Sequence, residues 1–238
     1  EVWHEKVHGA DERCSIVLEP WHKSALSIYD DVTGRCVLEV GCGAGDFALH
    51  LSSALGARTT GTDFSEQAVK IANEKARAQG IDVELLVADA QKLQFTDESF
   101  DIIYCCECLE HIPDPERAVG EFFRVLRPGG RLILTTENYS NGMLFLWAKS
   151  WITGQPFNSG SGVQPIENFF LFWKVASIFK RKGFKILKMT GWHYVFLILP
   201  GNYNIIIKDF RNPVLKSLLK PLARHVSFSL LKPGDSFQ

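Results

Sequence analysis

The chain has 238 residues, 46% of them hydrophobic and 22% charged, with a formal net charge of −1 at pH 7. This balance excludes a disordered chain and fits a buried core, and a near-neutral charge removes the electrostatic case for nucleic acid as a partner. The length allows one large domain or a domain with an appendage.

Glu1 to Ala10 is charged and contains histidine, which is unlike a signal peptide. A targeting segment upstream of Glu1 is left open. Wholly apolar runs such as Val195 to Pro200 are too short to span a bilayer as a helix. Of the six cysteines, Cys14, Cys36, Cys42, Cys105, Cys106 and Cys108, several sit in apolar strand-like runs. There they act as small hydrophobes, and the absence of a disulfide framework suggests a reducing, cytoplasmic setting. Cys105-x-x-Cys108 lacks the second pair that a zinc site needs.

Strand and helix patterns then alternate. Strands are expected at Val37 to Val40, Arg58 to Asp63, Val83 to Asp89, Phe100 to Cys106 and Arg131 to Thr136. Helices are expected at Asp46 to Leu55, at Ser65 to Gln79 with Ser65 as N-cap and Gly80 as stop, and at Pro115 to Leu126 behind Asp114. This rhythm implies a doubly wound, Rossmann-like α/β sheet, mostly parallel. After Thr136 come an aromatic, Asn- and Gly-rich connection with Trp147, Trp151 and Phe157, a helix at Asn168 to Lys182, a strand at Phe184 to Met189 and a last strand at Val226 to Leu231. The expected whole is one domain, 1–238, with a seven-stranded sheet whose last strand is antiparallel. Residues 1–35 form an N-terminal lid, 36–137 the cofactor core, and 138–166 and 192–225 the acceptor-side insertions.

The most telling stretch is VLEVGCGAGDF, Val37 to Phe47. A strand carrying Glu39 breaks into Gly41, Gly43 and Gly45 and opens at once into a helix, the way α/β folds hold adenosine-bearing cofactors. The spacing is G-x-G-x-G and not the G-x-G-x-x-G of dinucleotide sites. Asp63, twenty-four positions after Glu39, closes the second strand, where a carboxylate can accept from both ribose hydroxyls.

Three further segments follow in order: VADAQKLQF (Val87 to Phe95), FDIIYCCECLEHIPDPERAV (Phe100 to Val119) and FFRVLRPGGRLIL (Phe122 to Leu134). Together with VLEVGCGAG and TGTDFSEQAV they closely resemble the class I S-adenosylmethionine-dependent methyltransferases, in particular the small-molecule enzymes around ubiquinone and menaquinone biosynthesis. The resemblance spans about Val37 to Glu137. It implies that Gly41, Cys42, Gly43 and Gly45 let the backbone approach the donor, that Glu39 positions the methionine end, and that Asp63 binds the ribose with Phe64 beside the adenine. It further implies that Asp89 and the Ala90 N–H meet the adenine and that the Cys106 carbonyl meets the methionine ammonium. The same resemblance implies S-adenosylhomocysteine as the product.

The expected acceptor is a small or lipid-like molecule, with oxygen favoured over nitrogen or carbon because bases lie nearby. Glu107, Glu110 and His111 form the E-x-x-E-H string that the resemblance links to quinone-type O-methyltransferases, which makes His111 a base or the trio a divalent-metal set; the metal is not favoured. His193, between Trp192 and Tyr194, is a second base candidate. Trp3, His4 and Trp21 could close over the cofactor. The basic, apolar stretch Tyr203 to Arg224 could touch an anionic membrane. A nucleotide-cofactor oxidoreductase and a non-catalytic S-adenosylmethionine-binding protein are the alternatives from other classes.

Overall fold

The computed structural model describes residues 15–139, 151–152, 154, 168, 170–192, 194–197, 204–207 and 213–234. In chain order these form α1 (Pro20–Ile28), β1 (Cys36–Val40), α2 (Asp46–Ser53), β2 (Arg58–Asp63), α3 (Glu66–Gln79), β3 (Glu84–Val87), β4 (Phe100–Cys106), α4 (Pro115–Val125), β5 (Leu126–Glu137), α5 (Phe172–Arg181), β6 (Lys185–Trp192), β7 (Tyr194–Leu197), β8 (Asn204–Ile207), α6 (Pro213–Leu219) and β9 (His225–Leu231). Single 3-10 turns occupy Leu109–His111 and Lys220–Leu222.

The main sheet has the order β3-β2-β1-β4-β5-β9-β6. Strands β1 to β5 pair in parallel, and β9 runs antiparallel to both β5 and β6. The doubly wound sheet with an antiparallel last strand is therefore as the sequence predicts. Strand order reverses between β1 and β4, and ligands of open α/β sheets bind beyond the carboxyl ends at such a point.

Alternation along the strands sends side chains to two cores. On one face Leu38, Ile103, Leu134 and Phe228 are buried against Phe122 of α4 and Phe179 of α5. On the other Val37, Ile102, Tyr104 and Ile133 meet Ala25 of α1 and Phe47 of α2. Trp21 is packed against this second core, and its Nε1–H donates to His22. His22 stacks on Phe47, and its burial, with His50 adding, lowers its pKa to about 4.

Helix limits follow the expected caps. The Ser65 hydroxyl accepts from Ala68 N–H, Asp114 accepts from Arg117 N–H, and Gly80 takes the left-handed conformation. Several elements differ from those expected, among them α2, which ends at Ser53, and β6, which spans Lys185–Trp192. Helix α5 starts at Phe172 and not at Asn168, because the Asn168 side chain donates to the Glu110 and Ile112 carbonyls and pins the turn after β4. Strand β3 is the shorter Glu84–Val87. Strand β5 begins at Leu126 and takes in the Pro-Gly-Gly segment, with a register shift against β4 between Phe100 and Ile102. Finally, β7 and β8 pair as an antiparallel ribbon apart from the main sheet, an element the sequence pattern did not suggest.

Candidate active site

The Gly41–Gly45 turn leaves the carboxyl end of β1. Gly41 N–H and Cys42 N–H both donate to the Thr62 carbonyl, at 2.8 and 2.9 Å. The Asp63 carboxylate braces the turn from β2: one oxygen accepts from Gly43 N–H at 2.8 Å and the other from Ser65 N–H at 2.9 Å. The residue read as the ribose ligand thus also sets the shape of the loop. Carboxylate oxygens have lone pairs beyond these two bonds.

The glycines are not equivalent. Gly41 has φ 77°, and a Cβ there would lie 2.5 Å from Cys108 Sγ. Gly43 has φ 52° with nothing within 4 Å of an added Cβ, so it faces the open side of the turn. Phe64 stands beside Asp63 and is 79% exposed. Asp89 accepts from the Gln91 backbone and side-chain amides, and Ala90 is half-buried behind it.

Glu39 is 1% exposed on β1. Burial drives its carboxyl well above the usual range; the Ala48 N–H of α2 opposes this, and Asp63 and Asp46 add to it. Its Oε2 has no hydrogen-bond partner. An orphaned buried carboxylate under a glycine turn is suited to a cation such as the ammonium of an amino-acid donor. A raised folded pKa means that unliganded protein loses stability as pH rises from the unfolded carboxyl value through the folded one. Glu39→Gln should therefore raise the melting temperature of the unliganded protein by an amount that grows with pH, at about 2–4 °C per kcal/mol, while donor binding weakens. Melting curves across pH check this, and parallel curves for the two proteins would refute it.

The groups expected to serve the acceptor are placed differently from one another. Glu107 follows the end of β4 with φ 47°, a left-handed conformation rare for a residue with a Cβ. Its N–H donates to the Thr135 carbonyl, and its Oε2 lies 2.9 Å from His225 Nδ1. Glu110 turns the other way: it is 2% exposed and accepts from Thr136 Oγ1 at 3.0 Å. Burial first and the Glu107 charge second push its carboxyl up. His111 ends the same 3-10 turn and is half-buried. Among the described residues no three His, Cys, Asp or Glu side chains gather as a metal set. His193 lies outside the described residues, as do Cys14, Trp3, His4, Trp147 and Phe157.

The carboxyl ends of β5 and β6 meet the start of β9, where Glu137 and Trp192 both pair with His225. Glu137 accepts from Tyr139 OH at 2.6 Å and from Arg224 at 3.1 Å. Burial raises its pKa, but Tyr139, Arg224 and His225 outweigh this and hold the carboxyl below its usual value. Asn138 fastens this end by donating to the Pro221 and Ala223 carbonyls. The sequence reading missed His225, Arg224 and Glu137 as site residues. The one signal was position: His225 directly precedes the apolar run expected as the last strand.

Comparisons with known proteins bear on the same residues. A family described as "Methyltransferase domain" matches residues 38–134, from β1 to β5. The chain is 38% identical over 127 residues to a demethylmenaquinone methyltransferase of Thermus thermophilus, covering 53% of this chain and 54% of that protein, so it spans about half of that relative. It is 33% identical over 167 residues to a ubiquinone biosynthesis O-methyltransferase of Coxiella burnetii, covering 68% of each. The fold is similar to a SAM-dependent methyltransferase of Methanosarcina mazei, with TM-score 0.64 and 24% identity over 92% of this chain and 99% of that one.

Proposed function

Because the chain belongs to the S-adenosylmethionine-dependent methyltransferases, we propose that it methylates an oxygen atom of a small or lipid-like acceptor with an apolar body, of the hydroxylated aromatic, quinone-precursor kind. The observation that carries the donor half is Glu39, buried with an unpartnered oxygen beneath a glycine turn that opens at Gly43. The oxygen preference is supported by the carboxylates and imidazole on the neighbouring strand ends, and by the relative in Coxiella burnetii whose name specifies O-methylation.

In this reading Gly41, Cys42, Gly43 and Gly45 give the donor close backbone approach. Glu39 and the Cys106 carbonyl take its ammonium, Asp63 its ribose diol with Phe64 alongside, and Asp89 and the Ala90 N–H its adenine. When bound, the donor supplies a methyl carbon already activated by a sulfonium. The chain's own residues orient the acceptor, exclude water and accept a proton; orientation alone is worth on the order of 7–11 kcal/mol at best. Glu107, His111 and His193 remain the groups read from the sequence for that last task, and no metal enters the proposal. The test is S-adenosylhomocysteine formation with a panel of phenols, amines and carbon acids. Turnover confined to amines or carbon acids would overturn the oxygen assignment.

A lipid-like acceptor is favoured by one surface feature. Val214 and Leu218 on α6 are 66% and 70% exposed, and at four residues apart they share a side of the helix. Among the described residues no helix is long and apolar enough to cross a membrane, so contact through residues 203–224 would be peripheral. A Val214→Asp/Leu218→Asp double variant should lose most of its co-sedimentation with anionic vesicles and keep the wild-type melting temperature. Equal sedimentation of the two proteins would remove this role for α6.

A further inference from the structure

The amino ends of β1, β4 and β5 form the edge of the sheet away from the donor turn. The run from Asp101 to Glu107 separates the two edges by roughly 20 Å. A cleft of about 190 Å³ opens at this amino edge, lined chiefly by Tyr29, Arg35, Asp101, Arg127 and Arg131 around the Pro128–Gly130 turn. Three guanidinium groups thus share it with one carboxylate. That carboxylate is already committed: one Asp101 oxygen accepts from Arg127 at 2.7 Å and the other from Cys36 N–H at 2.8 Å. Arg35 and Arg131 enter no ion pair among the described residues. Two of the three arginines are held in place. The Arg131 guanidinium sits over the Tyr29 ring at 4.8 Å, and Arg127 Nε donates to the Glu98 carbonyl at 3.1 Å. Gly130 shapes the wall, because a Cβ there would lie 2.8 Å from the Asp101 and Arg127 carbonyl oxygens. Gathered like charges repel one another unless an anion answers them.

We propose that this cleft is a second ligand site, which binds the phosphate group of a small phosphate monoester. It is independent of the oxygen-acceptor reading above. Arg35 and Arg131 supply two charges that the chain leaves unanswered, against roughly −1.5 to −2 on a phosphate monoester. Guanidinium forks bond phosphate oxygens bidentately and stay charged at any working pH. Arg127 adds the N–H groups that Asp101 and the Glu98 carbonyl do not use. Because Tyr29 and Asp101 already fix two of the forks, less side-chain freedom is lost on binding. The volume limits the ligand: it is about six waters' share of liquid, below the roughly 300 Å³ at which drug-sized sites begin. A phosphate on a short organic stem fits, and a nucleotide does not. A free ester and a lipid headgroup share this chemistry. The turn after α6 packs at the opposite edge, where the Pro221 and Ala223 carbonyls accept from Asn138. A chain resting on a membrane through α6 therefore turns the cleft away from the surface, which favours the free ester.

The test is calorimetry on the full chain with inorganic phosphate and with glycerol 3-phosphate, at an ionic strength held constant with chloride. The proteins are wild type, Arg35→Gln/Arg131→Gln and Arg58→Gln; Arg58 is exposed at the start of β2 and does not line the cleft. Wild type and Arg58→Gln should bind both probes saturably at one site. The double variant should lose on the order of 10-fold or more in affinity, with its melting temperature in chloride and its S-adenosylhomocysteine affinity unchanged. If the double variant does not fold, Arg131→Gln alone should show the loss. No saturable binding, or equal affinity in variant and wild type, would overturn the proposal. So would competition between phosphate and S-adenosylhomocysteine, which would put the anion in the donor site, and so would acetate binding as tightly as phosphate. Co-sedimentation with phosphatidylcholine vesicles carrying phosphatidic acid separates the two sources. Vesicle binding lost in the double variant assigns the site to a headgroup. Vesicle binding unchanged, beside lost glycerol 3-phosphate binding, assigns it to a free ester.

Discussion

Replacing Asp63 with alanine is expected to weaken donor binding by about 1.5–3 kcal/mol, roughly 10- to 150-fold, the scale of hydrogen bonds to a charged group. Two losses combine. The ribose hydroxyls would lose their acceptor, and Gly43 N–H and Ser65 N–H would lose theirs. The second loss loosens the turn before any ligand arrives, so the unliganded protein should also melt lower. Asp63→Asn separates the two effects, because its amide oxygen still accepts one backbone N–H while the charge is gone. Calorimetry with S-adenosylhomocysteine alongside melting curves reads both quantities. Wild-type affinity in Asp63→Ala would refute the ribose assignment.

A second large effect is expected within the glycine turn, where two alanine substitutions should fail for different reasons. At Gly41 the added Cβ meets Cys108 Sγ at 2.5 Å and Cys108 Cβ at 2.7 Å, on a backbone at φ 77°. The Cys108 side chain or the turn must shift, and the left-handed conformation alone costs roughly 1–2 kcal/mol for a residue with a Cβ. Gly41→Ala should lower the melting temperature and abolish measurable donor binding together. Adding Cys108→Ala would remove the sulfur contact and recover part of the stability. At Gly43 the Cβ meets nothing within 4 Å. Gly43→Ala should therefore pay only the conformational cost and keep most of the fold, yet bind donor poorly because the methyl group stands where the ligand must approach. Equal affinity in Gly43→Ala and wild type would show that this side of the turn does not face the donor.

Much of the fold was legible in the sequence as far as Glu137, because there local signals and global structure agree. Ser65, Gly80, Asp114 and Pro115 mark helix ends by chemistry that acts over one turn. The nearly continuous apolar run from Phe100 to Cys106 marks a central strand buried on both faces. The glycine turn was legible for the same reason, since a left-handed backbone requires glycine at fixed spacing. The acceptor side was not, because its geometry is made by contacts of long sequence separation. Nothing near Glu107 in the chain announces His225, and nothing in Leu-Ala-Arg-His announces that Arg224 closes on Glu137 across 87 positions. Asn168 shows the same limit on a smaller scale: its helix-like surroundings suggest a helix start, and its tertiary bonds to the Glu110 and Ile112 carbonyls override them.

The antiparallel β9 has a consequence for the order in which the molecule can be built. Among the described strands it is the last in chain order, yet its place is between β5 and β6, which do not pair with each other. Until residues 225–231 leave the ribosome, β5 keeps an open edge carrying Leu132, Ile133 and Leu134, and β6 has no strand to join. Unpaired apolar edges are where nascent chains associate wrongly. The donor half can assemble early from contacts close in sequence, while closure of the sheet and delivery of His225 arrive in one final step. A chain stalled just short of β9 should hold its glycine turn and still be exposed to aggregation.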